Sequence, residues 1–266
     1  MQRALLVGIN EYPSAPLHGC VNDVQDMAEF LVERCGFDMN DVRLLTDARA
    51  TTQGILERIG WLLTGVRLGD RIFFQYSGHG AQMATRNPQG EVDGLDEVIC
   101  PVDFDWSDDH VIRDKDFDRI FSAVPPGVEF VWVSDSCHSG DLSRDIPHPG
   151  RLPRSMPLPA DMDWRLRTAR KAGLRALGMR SAGGLQVALV SGCAAEQTSA
   201  DAVFSGRSNG ALTYYLLQVL KDAASGNSPL AGVVEQVRLL LRNNGFEQIP
   251  ALEGSEEISD RPFLML

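Results

Sequence analysis

Runs of consecutive apolar residues alternate along this chain with stretches whose apolar positions recur every three to four residues. Ala4 to Ile9 is an uninterrupted apolar run and reads as a strand. Val21, Val24, Met27, Ala28, Leu31 and Val32 follow at helical spacing, with Gly36 placed to end the helix. Val42 to Leu45 is a second strand, and Thr51 or Thr52 caps a helix running to Leu63. Asp70 to Tyr76 and Val128 to Ser134 are further strands; Val98 to Pro101 is a short one, and Lys115 to Ala123 a helix. Gln186 to Val190 reads as a strand, 209–221 and 229–242 as helices, and Gln248 to Leu252 as a last short strand. Strand and helix in alternation predict an α/β fold with a mainly parallel central sheet flanked by helices.

Composition changes one part of this picture. Between Arg144 and Arg180 there are nine Lys or Arg against three acids, and five prolines fall within residues 147 to 159. This stretch reads as an exposed linker, which divides the chain into a larger part, 1–143, the linker, 144–183, and a smaller part, 184–266. The whole chain of 266 residues carries 25 basic and 36 acidic residues, a net charge of −11, so everything outside the linker is strongly acidic. That balance argues against nucleic acid as a partner, since phosphate contacts need clustered Lys and Arg. No run of about 18 apolar residues offers a membrane span, and the first residues lack a signal peptide's apolar stretch, so no membrane association and a cytoplasmic location are expected. Five cysteines at wide spacing suggest neither a disulfide framework nor a thiolate metal site.

Ligands of open α/β sheets bind beyond the carboxyl ends of the parallel strands, and that rule selects among the polar residues. The strand ending near Tyr76 runs into Ser77-Gly78-His79-Gly80, and the one ending near Ser134 into Asp135-Ser136-Cys137-His138-Ser139-Gly140. A thiol nucleophile needs a base to hold it near its thiolate form, and His79 can serve Cys137 in that way. Glycines on both sides of His79 would let the backbone approach a substrate. His138 is the weaker base, because adjacent side chains leaving a strand diverge. His18, His110 and His148 read as solvated loop residues, and Cys35, Cys100 and Cys193 as small buried side chains. Neither a dinucleotide-binding glycine motif, nor a phosphate-binding loop, nor a serine-centred nucleophile elbow occurs.

Together with Gly19-Cys20-Val21-Asn22-Asp23, the passage from Asp93-Gly94-Leu95-Asp96-Glu97 to Pro101-Val102-Asp103, and the closing Pro250-Ala251-Leu252-Glu253-Gly254, these motifs resemble the metacaspases, specifically the bacterial caspase-like peptidases. The resemblance implies a caspase-hemoglobinase fold in which the larger and smaller parts complete one sheet. It implies peptide-bond hydrolysis by a Cys–His dyad, with Cys137 as nucleophile, His79 managing protons, and the amides of Cys137 and Gly80 stabilising the oxyanion. The positions matching Asp23 and Asp135, with Cys20 and Ser77 beside them, imply a pocket for Arg or Lys, since two carboxylates in one recess favour a cation.

No cofactor is required by this chemistry. Calcium is the family's precedent for an acidic cluster, and Asp114 and Asp116 fall near the positions that would supply ligands. However, Lys115 sits between them and Arg144 stands where a further acid is expected, so the eleven carboxylates between Glu91 and Asp118 read rather as a solvated acidic face. An exposed linker carrying Arg151, Arg154, Arg165, Arg167, Arg170, Arg175 and Arg180 offers itself to an Arg-directed protease, so self-cleavage is expected there; docking of the linker on the acid run by charge is compatible with it. Partners are then protein or peptide substrates with basic residues, and a regulatory protein. The alternative is a catalytically silent caspase-like module that serves as a binding scaffold.

Overall fold

Strands that are apolar without alternation are stable only when both faces of their sheet are covered. The computed structural model, which describes residues 1–84, 95–137, 150–162, 187–193, 199–222, 228–254 and 256–264, has such a sheet. Its parallel strands are β1 (Gln2–Gly8), β2 (Val42–Thr46), β3 (Arg71–Ser77), β7 (Glu129–Asp135) and β9 (Ala188–Ser191), and β12 (Ala251–Glu253) closes one edge antiparallel to β9. The spatial order is β12-β9-β7-β3-β1-β2. Neighbours in the sheet therefore come from both the larger and the smaller part of the chain.

Alternate residues of each strand feed two separate cores. Leu5 and Val7 of β1 join Phe130 and Trp132 of β7 on one face, packed with helices α2 (Thr52–Leu63) and α3 (Asp114–Phe121). Ala4 and Leu6 join Val131 and Val133 on the other, under α1 (Cys20–Arg34), α4 (Ala211–Lys221) and α5 (Leu230–Asn243). At roughly 2 kcal/mol for each fully buried Leu, Val or Phe, these two cores set a rigid frame for the strand ends. The helix α1 ends as expected, with Gly36 in the left-handed region at φ +70 just past it. A four-residue helix, α6 (Glu256–Ser259), follows β12. Among the described residues no helix is long and apolar enough to cross a membrane.

Two three-stranded antiparallel sheets flank the site end of the molecule. One is β4 (Gly80–Ala84), β5 (Leu95–Ile99) and β6 (Ile112–Arg113); the other is β8 (Arg151–Pro153), β10 (Ala200–Phe204) and β11 (Arg207–Gly210), in the order β11-β10-β8. Of these, only the neighbourhood of β5 is predicted by the apolar pattern. β8 lies inside the stretch expected to be an exposed linker, and it is a paired strand instead.

Candidate active site

β3 and β7 are adjacent and in register, so Ser77 and Asp135, their last residues, lie side by side. His79 and Cys137 each follow two positions later, which brings both to the same rim of the sheet. Cys20 opens α1 and is tied there by Asn10, whose Oδ1 accepts from its amide at 2.9 Å. Asp23 lies on the buried side of α1, in the same stripe as Val24 and Met27. All the residues expected to form the site and its pocket therefore meet at one end of the sheet.

The backbone of His79 is clamped by two tyrosines that the sequence reading did not single out. Tyr12 Oη accepts from the His79 amide at 3.0 Å, and Tyr76 Oη donates to the His79 carbonyl at 2.7 Å. Both hydroxyls also reach the Cys100 carbonyl and each other, and burial pushes both phenols well up, so they stay neutral. A Cβ on Gly78 would lie 2.5 Å from the Tyr12 hydroxyl and 2.7 Å from that of Tyr76. Gly78 thus makes room for this clamp rather than for substrate; Gly80, on the other side of His79, is the glycine whose backbone faces the cleft.

The pocket beyond the rim is filled by Arg154, which is fully buried and is among the largest fully buried side chains of the described residues. This corrects the expectation of an exposed linker arginine. One guanidinium nitrogen donates to Asp23 Oδ2 at 2.7 Å, and the other lies 3.2 Å from Asp135 Oδ2 and donates to the Asp135 carbonyl at 3.1 Å. Asp23 also accepts from Asn209 Nδ2 at 3.0 Å and the Gly210 amide at 2.9 Å. Asp135 accepts from Ser199 Oγ at 2.6 Å and from the amide and hydroxyl of Thr213 at 2.9 and 2.8 Å. Burial pushes the Asp23 carboxyl up, and the Arg154 guanidinium draws it back. Burial opposes the charge on Arg154, but Asp135 and Asp23 outweigh it and hold the guanidinium protonated. Burial keeps Cys20 a neutral thiol in the pocket's surroundings, while Ser77 Oγ accepts from Gln75 Nε2 at 3.3 Å.

The main chain around Arg154 is equally ordered. The Arg154 carbonyl accepts from the amides of Gly80 at 3.0 Å and Cys137 at 3.1 Å, the two donors expected to hold an oxyanion. The Arg154 amide donates to the Ser199 carbonyl at 2.9 Å, and the Met156 amide to the Gly80 carbonyl at 2.8 Å. The peptide bond between Arg154 and Ser155 is thus gripped on both sides. His79 Nε2 bonds the Ala15 carbonyl at 2.7 Å, and because a carbonyl only accepts, Nε2 must carry the proton. Nδ1 is then the bare nitrogen, buried and without a partner. Burial, reinforced by the Arg154 guanidinium, holds His79 down to about 4.

Other expected residues fall differently. Asp114 Oδ1 accepts from the Lys115 amide at 2.8 Å, and Asp116 caps α3 by accepting from the Arg113 amide at 3.2 Å and bonding Arg119 at 3.0 Å. Asp96 is taken by Arg113 and Lys115 at 2.7 and 2.6 Å. Among the described residues no group of three His, Cys, Asp or Glu side chains is placed to hold a metal ion. The described part of the linker pairs with β10 and seats Arg154 in the pocket. Cys193 is only partly buried, and its sulfur lies in hydrogen-bond contact with Cys137, which together with burial pushes its thiol up. His138, Gly140, Arg144, His148, and the arginines from Arg165 to Arg180 lie outside the described residues.

Ser199, Asn209, Gly210 and Thr213 complete the pocket and were not anticipated. At Gly210 a Cβ would lie 2.2 Å from Asp135 Oδ2 and 2.3 Å from Arg154, so the position needs glycine. Only the fold shows what that glycine stands against.

Residues 2–146 match the family model described as metacaspase, peptidase C14 domain. The chain is 30% identical to Metacaspase-1A of Neurospora crassa, over 99% of this chain and 65% of that protein. It is 31% identical to Metacaspase-1 of Scheffersomyces stipitis over 96% of this chain and 70% of that protein, and 31% identical to Metacaspase-1 of Arabidopsis thaliana over 92% and 65%. The chain thus spans about two thirds of the length of these relatives. A crystal structure of a Geobacter sulfurreducens protein, 24% identical, superposes with a TM-score of 0.71 over 100% of this chain and 98% of that one, which shows a shared fold.

Proposed function

Because this chain belongs to the metacaspase family, we propose that it is a cysteine endopeptidase that cuts after Arg or Lys, and that its first substrate is its own Arg154–Ser155 bond. One observation carries the reading: Arg154 places its guanidinium between Asp23 and Asp135 while its carbonyl accepts from the amides of Gly80 and Cys137. A peptide held in this way has its scissile carbonyl polarised and its specificity side chain buried at the same time.

The chemistry follows from these contacts. Cys137 passes its thiol proton to Nδ1 of His79 and adds through sulfur to the Arg154 carbonyl carbon. The charge that gathers on the carbonyl oxygen is met by the two amides, an interaction worth about 3 kcal/mol per donor. The imidazolium returns the proton to the Ser155 nitrogen as the C–N bond breaks, leaving a thioester, which water then hydrolyses. The Ala15 carbonyl fixes the tautomer this sequence needs, and the tyrosine clamp fixes the ring's backbone. Each proton and charge is handled by the chain's own groups, so turnover is expected to be equal in calcium and in chelator.

Mass spectrometry of the purified full chain tests the first substrate. Wild type is expected to divide between residues 154 and 155, and Cys137→Ala to remain whole; a cut at that bond in both would overturn the assignment. Fluorogenic peptides ending in Arg, Lys or Asp test the pocket. Turnover of the Asp peptide alone would overturn the basic specificity, and turnover of none would leave the scaffold reading.

A further inference from the structure

We infer that the cleft has a second pocket for a basic side chain, three positions ahead of the arginine after which the chain is cut, built by the chain just past α5, and that the substrates are segments of the form Arg-x-x-Arg. The inference rests on the proposed cleavage after Arg154. Upstream of that residue the chain lies as a strand on β10, with Arg151 opposite Ala202, Leu152 opposite Asp201 and Pro153 opposite Ala200. Main-chain pairing of this kind sets the register of any peptide laid there, and side chains then select by what they meet.

Arg151 meets a built surface. Its two terminal nitrogens donate to the carbonyls of Gly245 at 2.6 Å and Asn244 at 3.2 Å, and its guanidinium lies 3.8 Å above the centre of the Phe246 ring. These carbonyls are free to accept because the helix has ended. The amides of Asn244, Gly245 and Phe246 turn back to carbonyls of the last turn of α5, so the carbonyls of 244 and 245 face outward at the negative end of the helix. Gly245 holds the left-handed backbone that this ending needs, at φ +73. Phe246 is itself braced, with ring centres of Phe204 and Tyr215 both 5.9 Å away. Two fixed acceptors and one fixed aromatic face suit a planar guanidinium better than an ammonium, which can meet only part of the set. Leu152, between the two arginines, is exposed at 38% and adds little discrimination.

The test compares the fluorogenic peptides Arg-Leu-Pro-Arg, Lys-Leu-Pro-Arg and Ala-Leu-Pro-Arg on the processed enzyme. The Arg peptide is expected to exceed the Ala peptide by roughly tenfold in kcat/KM, with Lys between them, and the ratio is expected to fall toward one in Phe246→Leu. Equal turnover of the Arg and Ala peptides would sink this pocket while leaving cleavage after Arg intact. A second measurement needs no turnover. In the full-length Cys137→Ala chain, adding Arg151→Ala is expected to speed hydrogen exchange at the amides of Arg154 and Met156; unchanged exchange would overturn the inference even if no peptide were cut.

Discussion

Arg154 keeps a full charge in a fully buried position because two carboxylates from distant parts of the chain reach different nitrogens of one planar group. A buried charge left with half its partners is costly, about 3–5 kcal/mol. Asp135→Asn should therefore lower the stability of the uncut Cys137→Ala chain by that amount, as urea denaturation would measure. Lysine in place of Arg154 can serve only one carboxylate at a time, so Arg154→Lys should slow self-cleavage roughly tenfold in a gel time course. His79 supplies a pH dependence whose sign is definite. An unfolded chain protonates this histidine below about 6.5, while the uncut folded chain holds it neutral until about 4. The unfolded state binds the extra proton, so His79 makes stability fall by about 1.4 kcal/mol per unit as pH drops through that window. Urea denaturation of Cys137→Ala between pH 7 and 4 should show a shallower fall once His79→Gln is added. At this scale Cys137 and His79 were legible as polar exits from apolar strands, whereas Asp23 and Asp135 were marked only by the family resemblance. Arg154 gave no such sign, because an arginine among prolines and arginines looks solvated until its partners, 19 and 131 positions away, are brought to it.

The elements divide the same way. β1, β3 and β7 are visible as apolar runs because they are covered on both faces. β8, β10 and β11 are not, since Arg-Leu-Pro and Arg-Ser-Asn-Gly have no alternation and become strands only by pairing with one another. The hairpin between β10 and β11 did carry a local cue in Ser205-Gly206, both at positive φ, as a two-residue turn requires. β11 matters because it ends at Gly210, whose backbone forms the pocket wall. Gly210 has ordinary extended dihedrals, φ −70 and ψ 136, so alanine there fits the backbone and fails only by filling the pocket. Gly210→Ala should fold, yet lose about a hundredfold in kcat/KM on Arg peptides, a loss of the size expected when a reacting group is displaced by an ångström.

Over the whole molecule, the proposed function makes the chain both catalyst and occupant of its own cleft. Since the bond is already seated by its own linker, self-cleavage should be first order, with a rate constant that does not change when the protein is diluted a hundredfold. Cutting that bond releases Ser155 and Met156 but not Arg151 to Arg154, which remain covalently joined to the half bearing Cys137 and keep their pairing with β10. The fresh carboxyl terminus is therefore a tenant on a short tether, and severing the backbone does not vacate the premises. Activity toward other proteins should begin with a lag set by how fast that stub departs, so that the step governing onset is an eviction rather than the cut.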